Sequence, residues 1–188
     1  MRSRPFSLVL VLLAIGAGPA GAQVSVGPNL EWSYWRFPSS FGDESGNTLS
    51  MGSSEISPGL RLGYLFPGAA FSLSVDAGLQ VAHFESEHLY TNVVVEPMVT
   101  YAFLGERATS PYVSLSSGWR HVKNFDLESV TCPAVGGSLG VRHRVAAGHG
   151  FIRGELKYDH FFNKDNAISV LPETVVGLRM GCDLLLSR

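Results

Sequence analysis

The chain has 188 residues, the length of one domain, with a formal net charge of −2 and only 16% charged residues. Near-neutrality leaves no basic footprint for nucleic acid and no acidic tail. Charge this sparse, against about a quarter in ordinary soluble domains, argues against a fully solvated surface, and the chain holds no apolar run long enough for a spanning helix.

At the N-terminus Met1-Arg2-Ser3-Arg4 is a short basic head, and Phe6 to Ile15 (FSLVLVLLAI) is an unbroken apolar run. Small residues follow, ending in Ala20-Gly21-Ala22, the small-x-small pattern of a signal-peptidase site. Residues 1–22 are expected to be a cleaved signal peptide, residues 23–188 a single domain beginning at Gln23. No cysteine stands at the cleavage point, which argues against a lipoprotein.

Beyond the leader, period-2 alternation dominates and helical periodicity is nearly absent. Eight segments are expected at about 24–37, 54–66, 70–84, 89–103, 110–122, 130–145, 150–161 and 168–186. Short connections (Pro67-Gly68-Ala69, Gly105 to Thr109, Ala146 to Gly150) alternate with longer, more polar ones such as Pro38 to Ser53. In the second segment Leu60, Leu62, Tyr64 and Phe66 share one face, opposite Gly59, Arg61 and Gly63. The third sets Phe71, Leu73, Val75 and Leu79 against Ser72, Ser74, Asp76 and Gly78. The fourth sets Val93, Val95, Val99 and Tyr101 against Glu96, Met98 and Thr100. The fifth and sixth alternate less cleanly. The seventh opposes Ile152, Leu156 and Tyr158 to Arg153, Glu155, Lys157 and Asp159, and the eighth opposes Val176, Leu178, Met180 and Leu184 to Arg179 and Asp183.

One face is therefore bulky and aromatic, the other a mixture of Gly, Ser and full charges. An eight-stranded barrel is barely wide enough for side chains, so the bulky face cannot point inward. The fold class expected is all-β: an eight-stranded antiparallel up-and-down transmembrane β-barrel with a side-chain-filled polar lumen. The fold-level alternative is a secreted, soluble lipocalin-like barrel. By parity the polar face carries Arg61, Arg120, Arg142, Arg144, Arg153, Lys157 and Arg179. It also carries Glu31, Asp76, Glu96, Glu155, Asp159, Glu173 and Asp183. Opposite charges in such number can compensate one another, which buried ions require.

With segments such as GLRLGYLF, FSLSVDAGLQV and VVGLRMGCDLLL and a charged core, residues 23–188 resemble the small outer-membrane barrels of the OmpA/OmpX transmembrane type. The resemblance implies bacterial outer-membrane residence with both termini periplasmic, and a lumen plugged by side chains. It further implies contact with outer-membrane lipid and lipopolysaccharide, folding by the barrel-assembly machinery, and surface loops that carry any function; a monomer is expected. Members commonly end on an aromatic residue, whereas this chain ends Leu184-Leu185-Leu186-Ser187-Arg188, a departure that bears on assembly rather than fold. No peptidoglycan-binding domain follows the last strand, so a cell-wall tether is not implied.

Catalytic signals are weak. Gly136-Gly137-Ser138-Leu139-Gly140 matches G-x-S-x-G, but a nucleophile elbow needs a strand-to-helix turn, and here Val141 to Val145 continue a strand. His83, Glu85, Glu87 and His88 lack a strong ligand spacing, so no metal and no cofactor is expected. His160 is the one weak catalytic candidate. Its place at the outer end of the seventh segment is similar to that of the active site in lipid A deacylases of the PagL type, but Phe162 stands where their serine would. Cys132 and Cys182 fall near opposite ends and are expected not to pair. The function expected is a non-enzymatic structural or surface-interaction role, with a lipid A-modifying enzyme or a narrow pore as the alternatives.

Overall fold

A computed structural model describes residues 21–36, 52–83, 89–105, 107–123, 129–145, 148–162 and 174–186. Residues 1–20, with most of the expected leader, lie outside these, as do Glu173 and residues 84–88 of the HFESEH stretch. Eight strands follow in chain order: β1 (Gln23–Arg36), β2 (Gly52–Leu65), β3 (Phe71–His83), β4 (Leu89–Ala102), β5 (Thr109–Lys123), β6 (Val130–Val145), β7 (Gly150–Phe161) and β8 (Thr174–Leu186). Every neighbour pair is antiparallel, and β1 pairs with β8 from Val24↔Leu186 to Arg36↔Thr174, closing the barrel. The strands match the expected segments within a few residues, except that 168–173 lie outside the described residues.

Strand parity decides which residues meet in the lumen, and it runs opposite to a soluble barrel. Leu115, Leu139 and Met180 are 72%, 63% and 66% exposed. In β7 buried and exposed positions alternate from Phe151 to Tyr158, with Arg153, Glu155 and Lys157 inside and Ile152, Leu156 and Tyr158 outside. The same alternation is clean in β5 and β6, where Tyr112, Ser114, Arg120, Cys132, Ala134, Ser138 and Arg142 are buried.

Two of the short turns are tied together at the base of the barrel. Ala69 N–H donates to Phe66 O at 3.0 Å across Pro67-Gly68. Gly68 at φ 81° occupies the position of a type II turn that requires positive φ. Ala102 N–H donates to Ala70 O at 2.7 Å, tying this turn to the β4–β5 connection. Arg142 then donates from Nη2 to Ala69 O, and to Gly105 O at 3.2 Å, so one side chain clamps both turns. Its guanidinium lies 4.9 Å from the centre of the Phe151 ring, above a small apolar cluster of Leu65, Ala69, Phe151 and Leu185. Near these turns Tyr64 packs on Phe66, and Tyr101 packs on both Phe71 and Phe103, with centroids 4.9–5.4 Å apart.

Candidate functional site: the charged lumen

Twelve charged side chains are buried among the described residues: Glu31, Arg61, Asp76, Glu96, Arg120, Arg142, Arg153, Glu155, Lys157, Asp159, Arg179 and Asp183. Six are cationic and six anionic, so these twelve balance one another. Register explains how they meet. Arg61 faces Asp76 across β2–β3, and Asp76 faces Glu96 across β3–β4. Glu155 faces Arg179 across β7–β8, and Arg179 faces Glu31 across the closing β1–β8 pair.

Arg179 is the hub. It donates to Glu31 from Nε at 2.8 Å and also from Nη2. It reaches Asp76 at 2.5 Å, Glu96 at 2.9 Å and Glu155 at 3.5 Å. Arg61 grips Asp76 with two donors, at 2.5 and 2.7 Å, and reaches Glu155 at 2.9 Å. Arg153 joins Asp183 at 2.9 Å to Glu155 at 3.4 Å. Glu155 also accepts from Tyr112 Oη at 2.8 Å and Ser138 Oγ at 3.1 Å. Toward the loop end Lys157 Nζ lies 2.6 Å from both oxygens of Glu96, 2.7 Å from Asp159 and 3.6 Å from Glu31. Charge-assisted bonds of this density satisfy ions that burial would otherwise penalise heavily.

The layer formed by Arg61, Asp76, Glu155 and Arg179 separates two small cavities. One, of about 30 Å³, lies on the loop side and includes Asn29, Glu96 and Lys157 in its lining. The other, of about 40 Å³, lies on the short-turn side and includes Ser25, Thr100 and Tyr112. Each has room for roughly two or three water molecules. Beyond the lower cavity stands Arg142 on Phe151; near the loop end Arg120 stacks on Phe161 at 4.6 Å.

The same architecture occurs in solved structures. Neisserial surface protein A matches with a TM-score of 0.61 and 13% identity, over 88% of this chain and 97% of that one. Ail, the attachment invasion locus protein of Yersinia pestis, solved in complex with the heparin analogue sucrose octasulfate, matches at 0.58 and 13% identity, over 88% and 99%. A major outer membrane protein from Thermus thermophilus matches at 0.58 and 14% identity, again over 88% and 99%. The chain has the fold of the small outer-membrane β-barrels. No protein-family model and no curated protein sequence matches it.

Within this barrel the remaining candidates fall as follows. Ser138 is an interior residue of β6 bonded to Glu155, not a turn nucleophile. The glycines around it make room: a Cβ on Gly136 would lie 2.0 Å from an Asp159 oxygen, and one on Gly140 2.5 Å from Tyr112 Cζ. His160, half-buried on the outward parity of β7, packs edge-on against Phe162 at 5.0 Å. Arg144 is half-buried, with its guanidinium 5.4 Å from the Phe151 ring centre. Cys132 is buried, Cys182 is exposed, and both are free. No group of three His, Cys, Asp or Glu suited to a metal occurs among the described residues.

Sequence reasoning missed two lumen residues. Tyr112 gives Glu155 a neutral donor, and its signal was a large residue at inward parity directly opposite Gly140. Asn29, also inward-facing, lines the loop-side cavity.

Proposed function

We propose that this protein is an integral barrel of the bacterial outer membrane with a side-chain plug, acting without catalysis as a structural or surface-interaction protein. One observation carries the reading: bulky apolar residues clothe the wall while twelve ions fill the lumen. The reverse arrangement would serve water on the outside; this one serves hydrocarbon, where a lipid-facing Arg or Lys at mid-depth would cost about 2–4 kcal/mol.

The height of the wall supports the same environment. On the exterior of β5 and β6, Thr109 pairs with His143 Nδ1 at 2.8 Å and Thr131 with His121 Nδ1 at 2.7 Å. Between these polar pairs β5 turns Pro111, Val113, Leu115, Ser117 and Trp119 outward. Twelve residue steps from Thr109 to His121 at about 3.3 Å each, tilted by roughly 45°, rise about 28 Å, close to the ~30 Å of a bilayer core.

The two alternatives find less support. A pore has to pass the Arg61–Asp76–Glu155–Arg179 layer and then Arg142. A lipid-acting enzyme has to use His160, whose ring neighbour is Phe162 rather than a nucleophile. Two proteins that share the fold are named for the cell surface and for attachment and invasion, and a surface-interaction role through the loops at the long-connection end is the reading favoured for this chain.

The test is electrophoretic mobility of the membrane-extracted protein with and without boiling. A closed barrel stays folded in detergent until heated, so two bands that merge on boiling, from the outer-membrane fraction, are expected. A single band from the soluble fraction would overturn the reading.

A further inference from the structure

Among the described residues the β2–β3 seam is incomplete. Its register runs from Leu65↔Ser72 to Gly59↔Gly78 and stops. Both strands continue beyond that point: β2 stays paired with β1 out to Arg36↔Gly52, and β3 with β4 out to His83↔Leu89. Every other seam is paired to the loop end of at least one of its two strands, whereas here both run on unpaired. The break begins at Pro58, which has no N–H to offer a ladder and is tolerated at strand edges for that reason.

Two facts indicate what fills the gap. Unpaired strand edges cannot face hydrocarbon, because nothing there satisfies their N–H and C=O groups. The free stretch of β2, Gly52-Ser53-Ser54-Glu55-Ile56-Ser57, is correspondingly polar in sequence. The second fact is a waiting donor. The loop-side cavity reaches this seam, with Pro58, Gly78 and Leu79 at its edge and Lys157 and Arg179 in its floor. Asn29 also lines it, is only 9% exposed, and its Nδ2 has no hydrogen-bond partner. A buried amide donor beside a polar cavity with room for roughly two or three waters is a site for an oxygen acceptor.

We propose that the loop-side half of the β2–β3 seam is a water-filled lateral opening. It admits water and water-sized oxygen-bearing solutes from the side of the barrel to the Lys157–Arg179 floor, with Asn29 Nδ2 receiving them, and it bypasses the plugged axis. The proposal rests on the membrane-embedded reading above, and heat-modifiability of each variant separates failure of that reading from failure of this one.

Native Cys132 provides an internal control. It is buried, on inward parity two residues from the loop end of β6, and therefore nearer the barrel mouth than Gly78 is. In a Cys182→Ser background, Gly78→Cys adds a thiol where a Cβ meets its nearest neighbours at ordinary distances of 3.8 and 3.9 Å. Both variants, reconstituted in phosphatidylcholine vesicles, are treated with hydrogen peroxide, itself a water-sized oxygen-bearing solute that oxidises a thiol and leaves as water, and the oxidised cysteines are located by peptide mass spectrometry. The expected result is modification at position 78 at least about tenfold faster than at Cys132, thiol reactivity following exposure. Ser74→Cys, in the paired half of the seam, stays unmodified. Cys132 reacting first or at the same rate would mean axial entry, and oxidation of Ser74→Cys at the Gly78→Cys rate would mean general breathing; either overturns the proposal. So would a heat-modifiable Gly78→Cys barrel that remains unmodified. If Gly78→Cys loses heat-modifiability, Val94→Cys, directly opposite Gly78 and lining the same cavity, carries the same test.

Discussion

Removal of the Arg179 guanidinium is the sharpest perturbation the lumen offers. Arg179→Met keeps most of the side-chain volume and deletes every donor that reaches Glu31, Asp76, Glu96 and Glu155. The four carboxylates do not suffer equally. Asp76 and Glu155 keep Arg61 at 2.5–2.9 Å, and Glu96 keeps Lys157 at 2.6 Å. Glu31 keeps Lys157, at 3.6 Å the most distant ion-pair partner left to any of the four among the described residues. The loss is therefore one buried ion-pair partner rather than four, and breaking such a pair costs about 3–5 kcal/mol. With an m-value of about 2 kcal/mol per molar urea, the unfolding midpoint should fall by roughly 1.5–2.5 M.

The assay is urea titration of the detergent- or vesicle-embedded protein, with the unboiled gel band and tryptophan fluorescence as readouts. The double variant Arg179→Met with Glu31→Met distinguishes charge pairing from packing. It leaves five cations and five anions in the described lumen, and replacing both members of a buried pair by apolar groups is near neutral. It should recover at least about half of the lost midpoint. A shift under about 0.5 M in the single variant, or a double variant no better than the single, would refute the view that these ions form a mutually dependent plug.

Three further outcomes follow from local geometry. Gly68→Ala places a side chain at φ 81° with nothing within 4 Å of its Cβ, so the backbone alone resists; a loss of about 1 kcal/mol in urea stability is expected. Gly140→Ala drives a Cβ to 2.5 Å from Tyr112 Cζ and 2.8 Å from Gly154 O. Overpacking plus the strained Tyr112–Glu155 bond should cost about 3 kcal/mol, whereas Gly154→Ala, on the open exterior, should be close to silent. In planar bilayers the wild-type barrel should give no steady axial conductance; a constant open level would show that the charged layer is not a seal.

Much of the fold was legible because a strand exposes its environment every second residue. Runs such as Phe71-Ser72-Leu73-Ser74-Val75-Asp76 declare two faces, and the difference in bulk between those faces declares which one is the wall. β5 and β6 were harder to read, since Ser117 and Gly137 stand on the outward parity and dilute the contrast. Pairing partners were not legible. Glu31 and Arg179 are 148 residues apart and meet only through the closing seam. Six cations and six anions allow many pairings that a one-dimensional pattern cannot choose among. Nor did the sequence separate the prolines. Pro28 and Pro97 lie in strands that stay paired on both sides beyond them, while the β2–β3 ladder ends beside Pro58 and the β6–β7 ladder beside Pro133.

That choice of partners bears on why the lumen is ionic at all. A lipid-facing wall of Leu, Val and aromatics holds little information about register, because hydrocarbon receives each of them alike. Side-chain parity removes only slips by an odd number of residues, which would turn the lumen charges into lipid. A slip by two residues keeps every charge inside, and an apolar or Ser-Gly lumen would hardly resist it. The ion pairs do. Sliding β8 by two against β1 takes Arg179 from opposite Glu31 to opposite Ser33 or Asn29, and sliding β3 against β2 takes Asp76 away from Arg61. Each such slip strands a buried charge, at the several kcal/mol that an unpaired ion costs. The register of the paired seams is thereby specified from inside. The seam between β2 and β3 is pinned the same way at Arg61–Asp76, two residues below the point where its ladder ends, so its loop half can stand open without loosening the register of the half beneath it.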